Sequence, residues 1–255
     1  VDNSGAEIPR GVPQVLTNGT QPKLPDNSSG RLEFARWISD PSHPLTARVM
    51  VNRVWYHLFG EGIVRTVDNF GYSGEKPSHP KLLDHLALRF TGEMNWSIKK
   101  LISSIVLSHS YRLASEYSQK NYSIDPDNTL FWRANVRRLE AEALRDAMMS
   151  VAGTLNLDPA KGSLVQKLKS GEVGKNGGMQ SLKSFDHRSV YLPIVRNYVP
   201  EFLQVFDFAE PASVIGRRDI TTVSTQALFL LNDKFVIDQS VATAKRLLDD
   251  ERLEN

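Results

Sequence analysis

Apolar residues recur in this chain at the 3.6-residue period of an α-helix, and proline or glycine interrupts the pattern at several points. The clearest case runs from Thr46 to Phe59, with prolines just before it and Gly60 directly after it. Further helices are predicted at residues 31–39, 80–91, 97–108, 138–151, 200–206, 226–231 and 233–252. The segment at 226–231 is apolar on nearly every side, which predicts a place in the core. These patterns predict a mainly α fold, an irregular multi-helix bundle.

Strand-like and irregular segments occupy the rest of the chain. Residues 63–67 and 190–195 have β character, so a short β element is expected. Residues 1–30 are rich in Pro, Gly, Asn and Ser and predict an extended linker or lead-in. Residues 158–186 are Gly-rich and predict a flexible, mobile insertion. The sequence therefore predicts a single helical domain over residues 31–255, interrupted by this insertion.

The composition argues against several classes of protein. Lys and Arg number 31 against 29 for Asp and Glu, so the net charge of +2 gives no basic surface for nucleic acid. No apolar segment approaches the roughly 18 residues that cross a bilayer, so no membrane span is expected. The chain has no cysteine, which removes disulfides, thiolate ligands and cysteine nucleophiles. Histidines do not occur at ligand spacing on one helix face either, so neither a metal nor a cofactor is expected.

Three predicted helices each carry an ionisable residue in an apolar setting: Arg48, His109 and Glu140. A charge that is withdrawn from water destabilises the fold unless it finds a partner. One interpretation is that the helices bring the guanidinium, the imidazole and the carboxyl group together as a catalytic site. The alternative is a structural network in which buried ion pairs join the helices. Both interpretations require the three side chains to be buried.

A second candidate site lies closer to the C-terminal end of the chain. Arg217 and Arg218 precede the predicted helix at 226–231, and Thr222 is a candidate N-cap for that helix. Two guanidinium groups and the free amides of a helix N-terminus suit a phosphate, a sulfate or a carboxylate. These three residues are therefore a candidate anion site. The alternative is that the arginines pair with nearby acids such as Asp207.

Several long sequence blocks occur in the order found in one protein family. They are RLEFARWISDPSHPLTARVMVNRVWYHLFGEGIV, DNFGYSGEKPSHPKLLDHLA, LSHSYR, RRLEAEALRDAM, RSVYL and RRDITTVSTQALFLLNDKFV. From about Arg31 to Leu248 the chain resembles the planctomycete-specific domain of unknown function that ends many large planctomycete proteins. In such proteins the domain follows a cytochrome c-like domain and another uncharacterised domain. The resemblance implies a fragment of an exported multidomain protein, located outside the cytoplasm in the periplasm or at the cell surface.

The resemblance supplies neither a reaction nor catalytic residues. It favours an accessory or interaction module of the parent protein. Expected partners are the upstream domains, with the cytochrome c-like domain as one candidate, and a polysaccharide is a further candidate. The alternative function is a hydrolase that acts on polysaccharide or a related polymer through Glu140, His109 and Arg48.

Overall fold

Helices dominate the fold, as the sequence predicts. A computed structural model describes residues 5, 8–17, 19–161, 185–194 and 199–250. Across these ranges there are nine α-helices and three short 3-10 helices, and β structure is limited to one isolated bridge between Asn156 and His187. None of the described helices is both long and apolar enough to cross a membrane.

The chain divides into two compact units, which we call the N-terminal unit, Val1–Val136, and the C-terminal unit, Arg137–Asn255. The sequence predicts one domain over residues 31–255, and that grouping stays a prediction. Most of the predicted Gly-rich insertion at 158–186 lies outside the described residues. Within the predicted lead-in, the chain forms a turn of 3-10 helix at Gln14–Leu16.

The described part of the N-terminal unit contains five α-helices. In chain order they are α1 (Arg31–Ser39), α2 (Thr46–Phe59), α3 (Pro80–Thr91), α4 (Ile98–Val106) and α5 (Gln119–Ile124). α2 packs against α3 and α4. The core between these three helices includes the buried side chains of Val51, Trp55, Leu83, Phe90 and Leu101.

Proline, glycine and serine set the ends of these helices. α1 and α2 have their predicted bounds, and Gly60 follows α2 with φ of 83°, a left-handed conformation that glycine adopts without strain. Pro80 is the first residue of α3, where its missing amide hydrogen is not needed. α5 is not among the helices predicted from the sequence. Its start is explained by Ser118, whose side chain accepts a hydrogen bond from the amide of Asn121.

Residues 63–67 form a loop, and the strand predicted there is wrong. Asn52, a buried residue of α2, supplies the hydrogen bonds that a neighbouring strand would otherwise make. Its Nδ2 donates to the carbonyl oxygen of Val64 at 2.9 Å, and its Oδ1 accepts from the amide of Val64 at 2.8 Å. Gly62 passes so close that a Cβ there would lie 2.4 Å from the same carbonyl oxygen. One amide side chain therefore satisfies both backbone groups of Val64 without a sheet.

The start of α2 depends on His43. Its Nδ1 accepts hydrogen bonds from the amides of Leu45 and Thr46 at 3.3 and 3.1 Å, so the neutral ring carries its proton on Nε2. Burial lowers the pKa of His43, and Asp40 opposes this effect without reversing it. Protonation at Nδ1 would turn the acceptor into a donor that faces two other donors.

We expect the fold to lose stability in mild acid through this imidazole. A histidine with a lowered pKa in the folded state contributes its full stabilisation above the unfolded pKa of about 6.5 and loses it as the pH falls toward the folded pKa. His43→Asn keeps a side-chain acceptor but does not titrate in this range. The thermal midpoint of the wild type should fall more than that of His43→Asn between about pH 7.5 and about pH 5.5. Parallel curves for the two proteins would contradict this role.

The described part of the C-terminal unit contains four α-helices: α6 (Ala141–Ala152), α7 (Glu201–Val205), α8 (Ser224–Asn232) and α9 (Lys234–Leu248). α6 packs along α9. The ring of Phe202 meets the rings of Phe229 and Phe235 edge-on, with centroids 5.8 and 5.6 Å apart. Because these rings belong to α7, α8 and α9, the aromatic contacts join all three helices.

Two predictions about local structure in this unit need correction. α6 begins at Ala141 rather than at Arg138, because Glu140 is extended, with ψ of 156°, and the side chain of Arg138 bonds elsewhere in the unit. The β character predicted at 190–195 is also wrong for the described residues, where Ser189–Tyr191 forms a 3-10 helix. Residues 195–198 lie outside the described part of the chain.

The position of α8 differs from the core position that its composition predicts. Leu228 and Leu231 are 58% and 74% exposed, and Leu230 is also exposed. Gln226, a polar residue, is the buried member of this helix. The prediction fails because an apolar composition does not specify whether the fold provides a partner for every side of a helix.

Candidate functional site

A pocket of about 330 Å³ opens on the N-terminal unit beside the first turns of α2 and α3. Its lining residues come from these two helices and from the loop that joins them: Arg48, Val64, Phe70, Glu75, Pro77, Pro80, Leu83 and Asp84. The pocket thus combines one guanidinium and two carboxylates with apolar walls. Such a combination is typical of sites for small polar ligands.

Arg48, a candidate residue from the sequence, lines this pocket. Its side chain is half-buried, and its Nε donates to Oδ1 of Asp84 at 2.7 Å. Its Nη1 donates to the carbonyl oxygen of Pro44. Asp84 is therefore the partner that the charge of Arg48 requires. The ion pair joins α2 to α3 and leaves part of the guanidinium for a ligand.

His109 and Glu140 lack the burial that the sequence predicts. His109 is exposed just before the 3-10 helix Ser110–Arg112, and Glu140 is exposed just before α6. The predicted burial is wrong because both residues lie outside the helices whose period suggested it. Arg48 and His109 belong to the N-terminal unit, whereas Glu140 belongs to the C-terminal unit, where it lies 3.5 Å from Arg218. The assembly of the three into a catalytic site stays a prediction.

Arg218 forms an ion-pair cluster with the start of α6. Its Nη1 and Nη2 donate to the two carboxylate oxygens of Glu142 at 2.6 and 2.9 Å, and the guanidinium lies 4.8 Å from the centre of the Phe208 ring. Pairing with an acid, the alternative to an anion site, therefore describes Arg218. Arg217 and Thr222 are exposed. An anion site at Arg217, Arg218 and Thr222 stays a prediction.

Asp207 is the centre of a second polar network in the C-terminal unit. Its carboxylate accepts hydrogen bonds from the amide and the hydroxyl of Thr221, each at 2.8 Å, and from Arg138. Arg138 also donates to the carbonyl oxygen of Thr221 and to Oε1 of Gln226. Burial raises the pKa of Asp207, but these hydrogen bonds outweigh it and hold the pKa below its usual value. The carboxylate stays ionised at neutral pH. This suits a structural role, in which it accepts hydrogen bonds, and not the role of a general acid.

Arg145 is a buried cation on α6 that was not predicted from the sequence. Its guanidinium donates to the carbonyl oxygens of Phe185 and His187 and to the hydroxyl of Ser189. The nearest carboxylate oxygen that it meets, on Asp146, is 3.7 Å away. Burial lowers the pKa of Arg145, but an arginine remains protonated in a protein. The cation therefore anchors the segment with these three acceptors to α6.

Sequence patterns could have indicated some, but not all, of the site residues that were not predicted. The buried positions of α6 are Ala141, Arg145, Met149 and Ala152, so Arg145 shares a face with three small or apolar residues at helical spacing. Asp207 and Arg138 are 69 positions apart in the chain, and no local pattern connects them.

The polar clusters differ in what they leave for a ligand. In the C-terminal unit, the charged groups of Arg138, Asp207 and Arg218 bond within the protein. The pocket beside Arg48 instead presents part of a guanidinium and two carboxylates to a cavity. Among the residues that the structure describes, no group of three or more His, Cys, Asp or Glu side chains could hold a metal ion. The pocket is therefore the candidate ligand site.

Comparison with protein families covers most of the chain. Residues 30–255 match the model of PSD1, described as a protein of unknown function (DUF1553). No curated protein matches the chain, and no solved structure matches it. The matched range includes the pocket of the N-terminal unit and the polar networks of the C-terminal unit. The chain therefore belongs to the DUF1553 family, a family of unknown function.

Proposed function

We propose that the chain is an accessory interaction module that holds a neighbouring domain of an exported multidomain protein of planctomycete type. Membership of a family of unknown function is consistent with such a module. The proposed location is outside the cytoplasm. The proposed partners are the upstream domains of the parent protein, with a cytochrome c-like domain among them. Location and partners both follow from the family resemblance.

The observation that carries this proposal is the apolar surface of α8 and α9. Leu228 and Leu231 are three residues apart on α8, share one side and are exposed. Ile237, Val241 and Leu248 recur at helical spacing on α9 and are 46%, 49% and 81% exposed. We call these five residues the apolar rows. Exposed apolar side chains in rows along a helix are typical of surfaces that bind another protein.

The polar groups of the same unit also favour binding over catalysis. The networks around Asp207 and Arg218 use their charged side chains to hold the unit together. Side chains engaged in this way supply no free acid or base for a reaction. A polysaccharide hydrolase built on Glu140, His109 and Arg48 gains no support from these contacts and stays a prediction.

Charged substitutions in the apolar rows test the proposal. The binding partner in this test is the upstream domains, produced as a separate chain. Burial of one leucine stabilises a complex by about 1.5–3 kcal/mol, so Leu228→Asp and Leu231→Asp should each raise the Kd at least about tenfold in calorimetric titrations. Leu88→Asp changes a leucine of α3 that is 72% exposed and should leave the Kd unchanged. A wild type that does not bind, or an equal loss in all three variants, would contradict the proposal.

A further inference from the structure

The pocket beside Arg48 contains hydrogen-bonding groups that the protein does not use. Arg48 has bonds from Nε and Nη1, and its Nη2 has no partner among the described residues. Asp84 uses Oδ1 in the ion pair, and its Oδ2 has no such partner. The carboxylate of Glu75 has none either. A ligand in this pocket would therefore meet donors from one side chain and acceptors from two others.

The remaining walls of the pocket are apolar. Val64 and Leu83 are almost fully buried, and Phe70 is half-buried. Pro77 and Pro80 complete the lining. A ligand that fits here presents polar groups toward the charged residues and a C–H surface toward Phe70, Pro77 and Pro80, the apolar lining residues that retain exposed surface.

The charges of the pocket argue against a simple ion as its ligand. An anion would meet the carboxylates of Asp84 and Glu75, whereas a cation would meet the guanidinium of Arg48. Neighbouring hydroxyl groups avoid both conflicts, because a hydroxyl accepts from a guanidinium and donates to a carboxylate. We propose that this pocket binds a single sugar unit, with vicinal hydroxyls on Arg48 and the two carboxylates and a ring face on the apolar wall.

The loop that carries Glu75 is held in place without a ligand. The hydroxyl of Thr66 donates to the carbonyl oxygen of Asn69 at 2.8 Å and accepts from the amide of Glu75 at 2.9 Å. A Cβ on Gly74 would lie 2.1 Å from that carbonyl oxygen, so the turn is closely packed. Because the loop is ordered beforehand, binding would require little additional ordering. The pocket volume of about 330 Å³ is at the small end for ligand sites and suits one ring.

Saturation-transfer NMR and titration with simple glycosides test this proposal. The probes are the methyl glycosides of glucose, galactose, mannose and xylose, with cyclohexanol, methylammonium and acetate as comparisons. At least one glycoside should bind, and Glu75→Ala and Arg48→Met should weaken its binding at least tenfold. Arg53→Met is the matched control, because Arg53 also lies on α2 and pairs with an acid, Asp68, outside the pocket. This control should bind like the wild type.

Several results would overturn the sugar site. They are failure of all four glycosides to bind, equal binding by Glu75→Ala and the wild type, or binding of methylammonium or acetate alone. Glu75 is exposed and its side chain has no partner among the described residues, so Glu75→Ala tests the site even where Arg48→Met disturbs the fold. The pocket and the apolar rows lie in different units and are tested with different partners, so either proposal can fail while the other holds.

Discussion

Arg145→Met is expected to lower the free energy of unfolding by about 3–5 kcal/mol. The substitution removes a cation whose side chain is 7% exposed and that donates to the carbonyl oxygens of Phe185 and His187 and to the hydroxyl of Ser189. Methionine fills similar space but donates no hydrogen bond, so these acceptors lose their partner within a buried site. Urea denaturation followed by circular dichroism measures the loss.

A second arginine supplies the control for this measurement. Arg246 also donates to backbone carbonyl oxygens, those of Ser150 and Val151, but it is exposed. Water can replace its hydrogen bonds, so Arg246→Met should cost less than about 1 kcal/mol. Arg145→Lys retains the charge but not the planar fork and should fall between the wild type and Arg145→Met. A cost for Arg145→Met no larger than that for Arg246→Met would show that burial does not set its contribution.

Asn52→Leu is expected to destabilise the protein by about 2–5 kcal/mol. Asn52 is fully buried and bonds to both the amide and the carbonyl oxygen of Val64. Leucine has a similar size, but it would leave two buried backbone groups without partners. Chemical denaturation of this variant should show a lower midpoint, with Asn232→Ala as control. The side chain of Asn232 also donates to a backbone carbonyl, but from an exposed position.

Gly62→Ala tests the same contact between Asn52 and Val64 by crowding it. The added methyl group would approach the carbonyl oxygen of Val64 to 2.4 Å and Nδ2 of Asn52 to 2.9 Å. Relief of this contact requires the hydrogen bonds between Asn52 and Val64 to lengthen. Because the two substitutions damage one interaction, the double variant should lose less stability than the sum of the losses in the two single variants. Full additivity would mean that Gly62 and Asn52 act independently.

Local sequence chemistry predicted the helices that end at proline or glycine. α2 has its predicted bounds because the prolines before it and Gly60 after it restrict the backbone through short-range contacts. The start of α6 was missed because Glu140 is extended and Arg138, the predicted first residue, bonds to residues far along the chain. The exposure of α8 was missed for a related reason, since composition does not reveal which sides of a helix its neighbours cover.

The candidate site was predictable only in part. The apolar surroundings of Arg48 on α2 indicated a residue that needs a partner, and this side chain does line the pocket. Its partner Asp84 is 36 positions away, and Glu75 reaches the pocket through a loop without a periodic pattern. His109 and Glu140 were misjudged because the helical period was extended beyond the actual ends of the helices. Tertiary contacts, which periodicity does not encode, therefore decide most of this site.

The contact between Asn52 and Val64 also bears on how the N-terminal unit opens. The loop at 63–67 has no regular secondary structure, and a segment of this kind commonly separates from its domain in low-energy local openings. Here the amide of Val64 donates a hydrogen bond to the buried side chain of Asn52 on α2. Exposure of that amide to solvent requires separation of the loop from the buried face of the helix. We therefore expect the loop and α2 to open together as one cooperative unit.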